Sequence, residues 1–311
     1  AMEMIEKASE AGADLVKFQT FKAESLLTHE VEKAEYQKNL TDKKESQFEM
    51  IKKYELDETN HKELIQYCEK KNVGFLSTPY DLESIDLLDK LNVPFFKIPS
   101  GEITNLPYLK HVGKMGKPIV MSTGMATMEE VQSALNILLE AGTDKNQITI
   151  LHCNTEYPTP MEDVNLNAML TLKEKLGVDV GYSDHTLGIE VPIAAVAMGA
   201  RVIEKHFTLD RDQQGPDHKA SLEPEELKHM IHAIRNIEKA LGDGIKRPSP
   251  SEAKNKSIVR KSLVAKHIIL KGDVFTDSNI AVKRSSGSGI SPMCLYKVIG
   301  QIAIKDFLPD E

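Results

Sequence analysis

Through residues 1–245, short runs rich in β-branched and aromatic residues alternate with longer stretches in which apolar side chains recur every three or four positions. The short runs read as strands and the longer ones as amphipathic helices. Strands are predicted at 15–19, 73–77, 95–98, 118–122, 148–153, 178–182 and 202–206, and helices at 58–71, 82–91, 128–141, 166–176 and 190–198. A last long helix, 223–241, opens with Glu223, Glu225 and Glu226 in its first turn and closes at Gly242, as the helix dipole and glycine stop signals favour. Repeated β-α units imply a parallel sheet. No glycine-rich dinucleotide turn follows any strand, and polar groups recur at the strands' C-terminal ends, so a (β/α)8 barrel is favoured over an open sheet. The chain starts inside a helical pattern, 2–11, ahead of the first strand. A β-α unit begins with β, so this reading expects an eighth strand, first in order, upstream of Ala1.

After residue 245 the pattern changes. The polar segment 246–256, KRPSPSEAKNK, carries two prolines and reads as an interdomain linker. Residues 257–311 hold short strands (SLVAK, IAVKR) and turns, and read as a small β-rich module that needs a docking surface. The segment 21–54, between the first two strands, is far longer than an ordinary β-α loop and is expected to cover a site.

Composition narrows the classes. No stretch of the 311 residues approaches a membrane span, and the N-terminal residues lack the basic, apolar and small-residue order of a secretory signal. A cytoplasmic location is the expectation. The net charge of −8 gives no global support for binding nucleic acid. Cys68, Cys153 and Cys294 are widely spaced and outside any CxxC, which argues against a disulfide framework or a structural zinc. An anionic substrate would therefore need a local cationic pocket.

In a barrel, strand ends converge on one mouth. They supply Lys17 and Gln19; Ser77 and Thr78; Lys97, Ser100 and Glu102; Ser122 and Thr123; His152, Asn154 and Tyr157; Ser183, Asp184 and His185; and Glu204 and His206. Two lysines, several hydroxyls and the backbone amides near Gly101 and Gly124 suit phosphate and carboxylate oxygens. Two histidines with Glu204 nearby suit a divalent metal. Plainer readings stand beside these: an outward Lys17 on a helix, His152 in the core, Glu102 and Asp217 as surface carboxylates, and a turn at GPDH, 215–218.

The motifs KFQTF (17–21), STPYD (77–81), KIPSGE (97–102), STGMAT (122–127), LHCNTEYPTP (151–160), YSDHT (182–186), EKHFTLD (204–210) and GPDHKASLEPEEL (215–227) resemble those of the bacterial sialic acid synthases. RKSLVAK, KGDVF, VKR and GISP resemble the type III antifreeze-like (SAF) domain of that family. The resemblance implies a TIM barrel at 1–245, a linker at 246–256 and an antifreeze-like domain at 257–311. It implies condensation of phosphoenolpyruvate with N-acetylmannosamine to give N-acetylneuraminic acid, or, with a 2,4-diacetamido-6-deoxy sugar, legionaminic or pseudaminic acid. Phosphoenolpyruvate would meet Lys17, Thr78, Lys97, Ser100, Ser122 and Ser183, with Glu204 completing the substrate-binding set. Lys17, Lys97 and Glu102 are the catalytic candidates. His185 and His206 would hold a manganese or magnesium ion, and Glu102, Tyr157 and Asp217 would surround the amino sugar. Arg284 matches an arginine that one subunit inserts into its partner's barrel, which implies a domain-swapped homodimer. One family motif, an AEIGxNHxG-like first strand with its glutamate, has no counterpart in the sequence. A Schiff-base aldolase using Lys97 and a non-catalytic sugar- or ice-binding protein are the competing readings.

Overall fold

The computed structural model describes residues 1–28, 46–215, 217–285 and 289–311. Much of the long segment expected to cover a site, residues 29–45, lies outside the described residues, as does Pro216 of the GPDH turn. The chain divides into two compact units, Ala1–Gly242 and Asp243–Glu311.

The first unit is a curled, TIM-barrel-like parallel sheet wrapped by helices. Helix Met2–Ala11 precedes β1 (Leu15–Thr20), which pairs with β2 (Gly74–Pro79). A continuous parallel ladder then runs through β3 (Phe96–Ile98), β4 (Ile119–Ser122), β5 (Ile148–Cys153), β6 (Asp179–Asp184) and β7 (Ile203–Lys205). All seven predicted strands form, within two residues of the expected bounds at every end.

The helices between them follow from local chemistry. Met128–Ala141 starts at Thr127, whose hydroxyl accepts from the Glu130 backbone N–H while the Glu130 carboxylate accepts from that of Thr127. It stops at Gly142, whose left-handed backbone closes the last turn. Asp57 caps Glu58–Lys70 in the same reciprocal way. The apolar faces of these helices and the outer face of the sheet form one core that includes Ile85, Leu88, Phe96, Ile98, Leu135, Leu138 and Ile150. A second cluster, with Ala8, Ala11, Met230 and Ile234, joins Met2–Ala11 to Pro224–Leu241.

Because side chains alternate across a strand, the register decides which residues face the barrel interior. Gln19 pairs with Thr78, Lys97 with Val120, Ser122 with Leu151, Cys153 with Ser183 and Ser183 with Glu204. Lys17, Gln19, Thr78, Lys97, Ser122, Ser183 and Glu204 therefore share the inner face. Ser77, His152 and Asp184, expected at the mouth, fall on the outer face. Ser77 Oγ lies 2.7 Å from Thr20 Oγ1, which lies 2.7 Å from His61 Nε2. His61 Nδ1 lies 2.7 Å from the Asp57 carbonyl oxygen, which can only accept. In neutral His61, Nε2 must then accept from Thr20, which leaves Ser77 donating to Thr20. His152 Nε2 donates to the Val164 carbonyl at 2.9 Å and meets the Tyr182 ring edge-on, which makes it a half-buried, hydrogen-bonded residue on the helix side of the sheet.

In the second unit β8 (Lys261–Ala265) pairs antiparallel with β9 (Ile280–Arg284) over a small core of Ala265, Ile269, Phe275, Ala303 and Phe307. The segment expected as a linker is partly helical: Pro250–Val259 starts at Ser249, whose hydroxyl accepts from the Glu252 N–H. Pro250, which suggests a linker by composition, sits at the first helical position, where a missing N–H costs nothing. Cys68, Cys153 and Cys294 are free thiols. Among the described residues no helix is long and apolar enough to cross a membrane.

Candidate active site

The inner faces of β1, β3 and β7 bring Lys17, Lys97 and Glu204 together. Lys17 Nζ lies 3.4 Å from Glu204 Oε2, and Lys97 Nζ lies 3.5 Å from Glu204 Oε1. Lys97, whose side chain is 4% exposed, also donates to Ser122 Oγ at 2.7 Å. Ser183 donates to Glu204 Oε1 at 2.7 Å. Burial pushes the Lys97 ammonium below the usual lysine range, with Lys17 adding to the effect against the opposing pull of Glu204. Burial alone would raise the Glu204 carboxyl, but Lys17, Lys97 and the Ser183 hydroxyl together hold it far below the usual carboxylate range. The carboxylate is thus a fixed negative centre between two cations.

Further hydroxyls lie on the inner face or just beyond a strand end. Thr78 is buried, and its Oγ1 has no hydrogen-bond partner among the described residues, although buried polar groups are almost always paired. Ser100 Oγ accepts from the Gly124 N–H at 2.9 Å and lies 3.3 Å from Cys153 Sγ. A side chain at Gly124 would collide with Thr155 and Ser100, so this close approach of the two loops requires glycine there.

The two histidines emerge one residue beyond β6 and β7. Their ring centroids are 5.3 Å apart, and the Tyr157 ring packs on both, 4.2 Å from His185 and 5.5 Å from His206. His185 Nδ1 donates to the Asn154 carbonyl, which leaves Nε2 with its lone pair in the neutral ring. Burial lowers the His185 pKa, and burial together with His185 and Lys17 takes His206 down to about 3. Both rings are therefore neutral near pH 7. His206 Nδ1 lies 3.9 Å from Asp217 Oδ2, and burial raises the Asp217 carboxyl. Among the described residues no group of three or more His, Cys, Asp or Glu has metal-holding geometry, so these residues do not build a closed structural site. The pair does fit an open, two-imidazole one. With nitrogen–metal bonds of about 2.1 Å, two rings meeting at roughly 90–110° have centroids about 4.5–5.5 Å apart.

Glu102 follows β3, where its carboxylate accepts from Asn105 Nδ2 at 2.6 Å and burial raises its pKa. Beside it, a cavity of about 360 Å³ is lined by Ser25, Tyr80, Asp81, Leu82, Glu83, Asn105, Pro107 and Tyr108, a set with carboxylates and hydroxyls but no cation. Arg284 ends β9 in the second unit and is exposed. Asn154, expected at the mouth, meets His185 through its backbone carbonyl, which no side-chain pattern shows, and Lys205, buried against Asp184, is absent from the sequence expectations because it reads as the polar neighbour of Glu204 and His206.

A TIM-barrel-like sheet whose strand ends gather two lysines, a carboxylate, several hydroxyls and neutral imidazoles is the architecture of a barrel enzyme. The chain belongs to the NeuB family, whose profile matches residues 4–246, and a SAF domain follows at residues 260–311. It is 55% identical over 311 residues to N,N'-diacetyllegionaminic acid synthase of Campylobacter jejuni, covering 100% of this chain and 93% of that protein. It is 44% identical over 302 residues to N,N'-diacetyllegionaminic acid synthase of Legionella pneumophila, covering 96% and 85%. Among solved structures, the N-acetylneuraminic acid (sialic acid) synthetase of Leptospira borgpetersenii in complex with citrate superposes with a TM-score of 0.71 at 34% identity, covering 82% of this chain and 83% of that one. The protein is thus a synthase of the sialic-acid type.

Proposed function

We propose that the protein condenses phosphoenolpyruvate with a 2,4-diacetamido-6-deoxy sugar and water, giving a legionaminic-type nine-carbon acid and phosphate. The observation that carries the condensation is the convergence of Lys17 and Lys97 on the inner face, beside Ser122, with Thr78, whose hydroxyl has no partner among the described residues, on the same face. The choice of sugar follows the two legionaminic acid synthases at 55% and 44% identity. N-acetylneuraminate formation, the first expectation from the motifs, becomes the second reading, favoured by the sialic acid synthetase at 34%.

C3 of phosphoenolpyruvate attacks the aldehyde carbon of the open-chain sugar, and the aldehyde oxygen takes a proton as the carbon–carbon bond forms. Positive charge develops at C2, water adds there with loss of a proton, and the tetrahedral centre expels phosphate by C–O cleavage. Lys17 and Lys97 offset the carboxylate and phosphate charge, most effectively where water is excluded. Glu204 keeps the two ammonium groups converged before substrate arrives. Glu102, whose carboxyl burial holds protonated to higher pH than usual, is the candidate for proton transfer. A divalent manganese or magnesium ion held by His185 and His206 would act as a Lewis acid on the sugar aldehyde. Tyr157 and Asp217, flanking the same imidazoles, face the sugar. In the homodimer we propose, Arg284 of one subunit completes the other's mouth.

The test is phosphate release from phosphoenolpyruvate with manganese and a panel of sugars: N-acetylmannosamine and the 2,4-diacetamido-6-deoxy epimers. The legionaminic precursor should give the highest kcat/KM. A preference for N-acetylmannosamine would install the second reading. Borohydride trapping of a pyruvate adduct on Lys97, with full turnover in a chelator, would replace the condensation by a Schiff-base aldolase.

A further inference from the structure

The last two rungs between β6 and β7 are each tied by a side-chain bond, one on either face of the sheet. Ser183 and Glu204 are register partners and meet on the inner face at 2.7 Å. Asp184 and Lys205, the next partners, meet on the outer face, with Lys205 Nζ 2.5 Å from Asp184 Oδ2. Both outer side chains are out of water, at 0% exposed for Asp184 and 2% for Lys205. The carboxylate also accepts from the Thr186 N–H at 3.1 Å and from Thr186 Oγ1 at 2.9 Å, and Lys205 donates in addition to the Thr186 carbonyl. Residues 184 and 186 are thus bound to each other and to 205. The residue enclosed by this knot is His185, and the residue leaving it is His206.

A buried ion pair adds little net stability compared with apolar side chains of the same volume, since both charges lose their hydration. What a saturated pair does fix is geometry: a two-point tether across one rung leaves no freedom for the strand ends to splay. We propose that the Asp184–Lys205 pair is a positioning device that sets the separation of the His185 and His206 imidazoles for a shared divalent cation. This inference rests on the metal reading given above. Neither residue touches the cation; each acts through the histidine next to it, and Thr186 holds the carboxylate in place.

The test is direct Mn²⁺ titration of the whole protein without substrates, read by the electron paramagnetic resonance of free Mn²⁺, alongside thermal midpoints. The variants are Asp184→Asn/Lys205→Gln, which keeps a hydrogen-bonding pair without charge, and Thr186→Val, a milder change that leaves both charges. The double variant should bind Mn²⁺ about 10- to 100-fold more weakly, the range found when partners behind metal ligands are lost. Thr186→Val should bind several-fold more weakly and keeps the test decisive if the double variant does not fold. Ile234→Ala, in the cluster between Met2–Ala11 and Pro224–Leu241, supplies loss of midpoint without removing any hydrogen bond or ion pair of the two rungs and should bind as wild type. Wild-type affinity in both rung variants would overturn the positioning role while leaving the metal reading intact. An equal loss in Ile234→Ala would overturn it as well, by showing a general stability effect. A wild-type protein that binds no Mn²⁺, or binds it unchanged after His206→Ala, would overturn the metal reading and the positioning role together.

Discussion

Thr78 is a side chain at odds with its surroundings. A buried hydroxyl left without a partner destabilises a fold by about 1–3 kcal/mol, and among the described residues Thr78 Oγ1 has none. In the proposed complex it donates to phosphoenolpyruvate, so the debt is settled only with substrate bound. Thr78→Val, which keeps the shape and removes the hydroxyl, should raise the thermal midpoint by a few degrees while raising the phosphoenolpyruvate KM about tenfold. A KM within twofold of wild type would take Thr78 out of the site. Lys97 carries a second expectation. Burial lowers its pKa, and the ammonium form is the one that offsets phosphate charge. The alkaline limb of kcat/KM for phosphoenolpyruvate should therefore fall at a pH below the ordinary lysine range. A limb at the unperturbed lysine value, about 10.4, would assign it to another group.

At the scale of elements, the strands were legible because buried strands and amphipathic helices have different apolar periods. The face of each strand was not, although the rule was available. Ser77 and Thr78, like Ser183 and Asp184, are neighbours in sequence, and a period of two allows only one of each pair to face inward. Ser77 turns out to serve Thr20 and His61. The inner lysines could not be told from outer ones without the register that sets Glu204 between them. The helix Pro250–Val259 was masked by composition, because a proline at a helix start and a proline in a linker look alike. Gly181 tests the register itself. A Cβ there would come within 2.3 Å of the Val202 carbonyl oxygen and 2.6 Å of Leu151 Cδ2, with backbone on one side and a packed side chain on the other. Gly181→Ala should push β7 away from β6 and destabilise the barrel by about 2 kcal/mol or more, read as a lower urea midpoint at unchanged m. A midpoint equal to wild type would show that β7 yields freely.

At the scale of the whole molecule, a net charge of −8 has to coexist with an inner face that concentrates lysine. The fold achieves this by holding Lys17 and Lys97 on the inner face of β1 and β3, both against Glu204. The proposed homodimer gives a test that monomers cannot pass. Lys97→Ala and Arg284→Ala, each nearly inactive alone, should on unfolding and refolding as an equal mixture recover about a quarter of wild-type turnover. Half of the random dimers are then mixed, and each mixed dimer holds one intact mouth when the arginine comes from the partner. No recovery from a mixture that has demonstrably exchanged subunits would place Arg284 outside its partner's site.

The paired rungs of β6 and β7 also bear on how the barrel finds its alignment as it folds. A parallel ladder made only of aliphatic residues could slip by two positions and keep its apolar face buried. Here any slip would seal Asp184 in the core away from Lys205 and part Glu204 from Ser183, an error penalised on both faces of the sheet at once. The strand ends thereby proofread their own alignment before the mouth can be used.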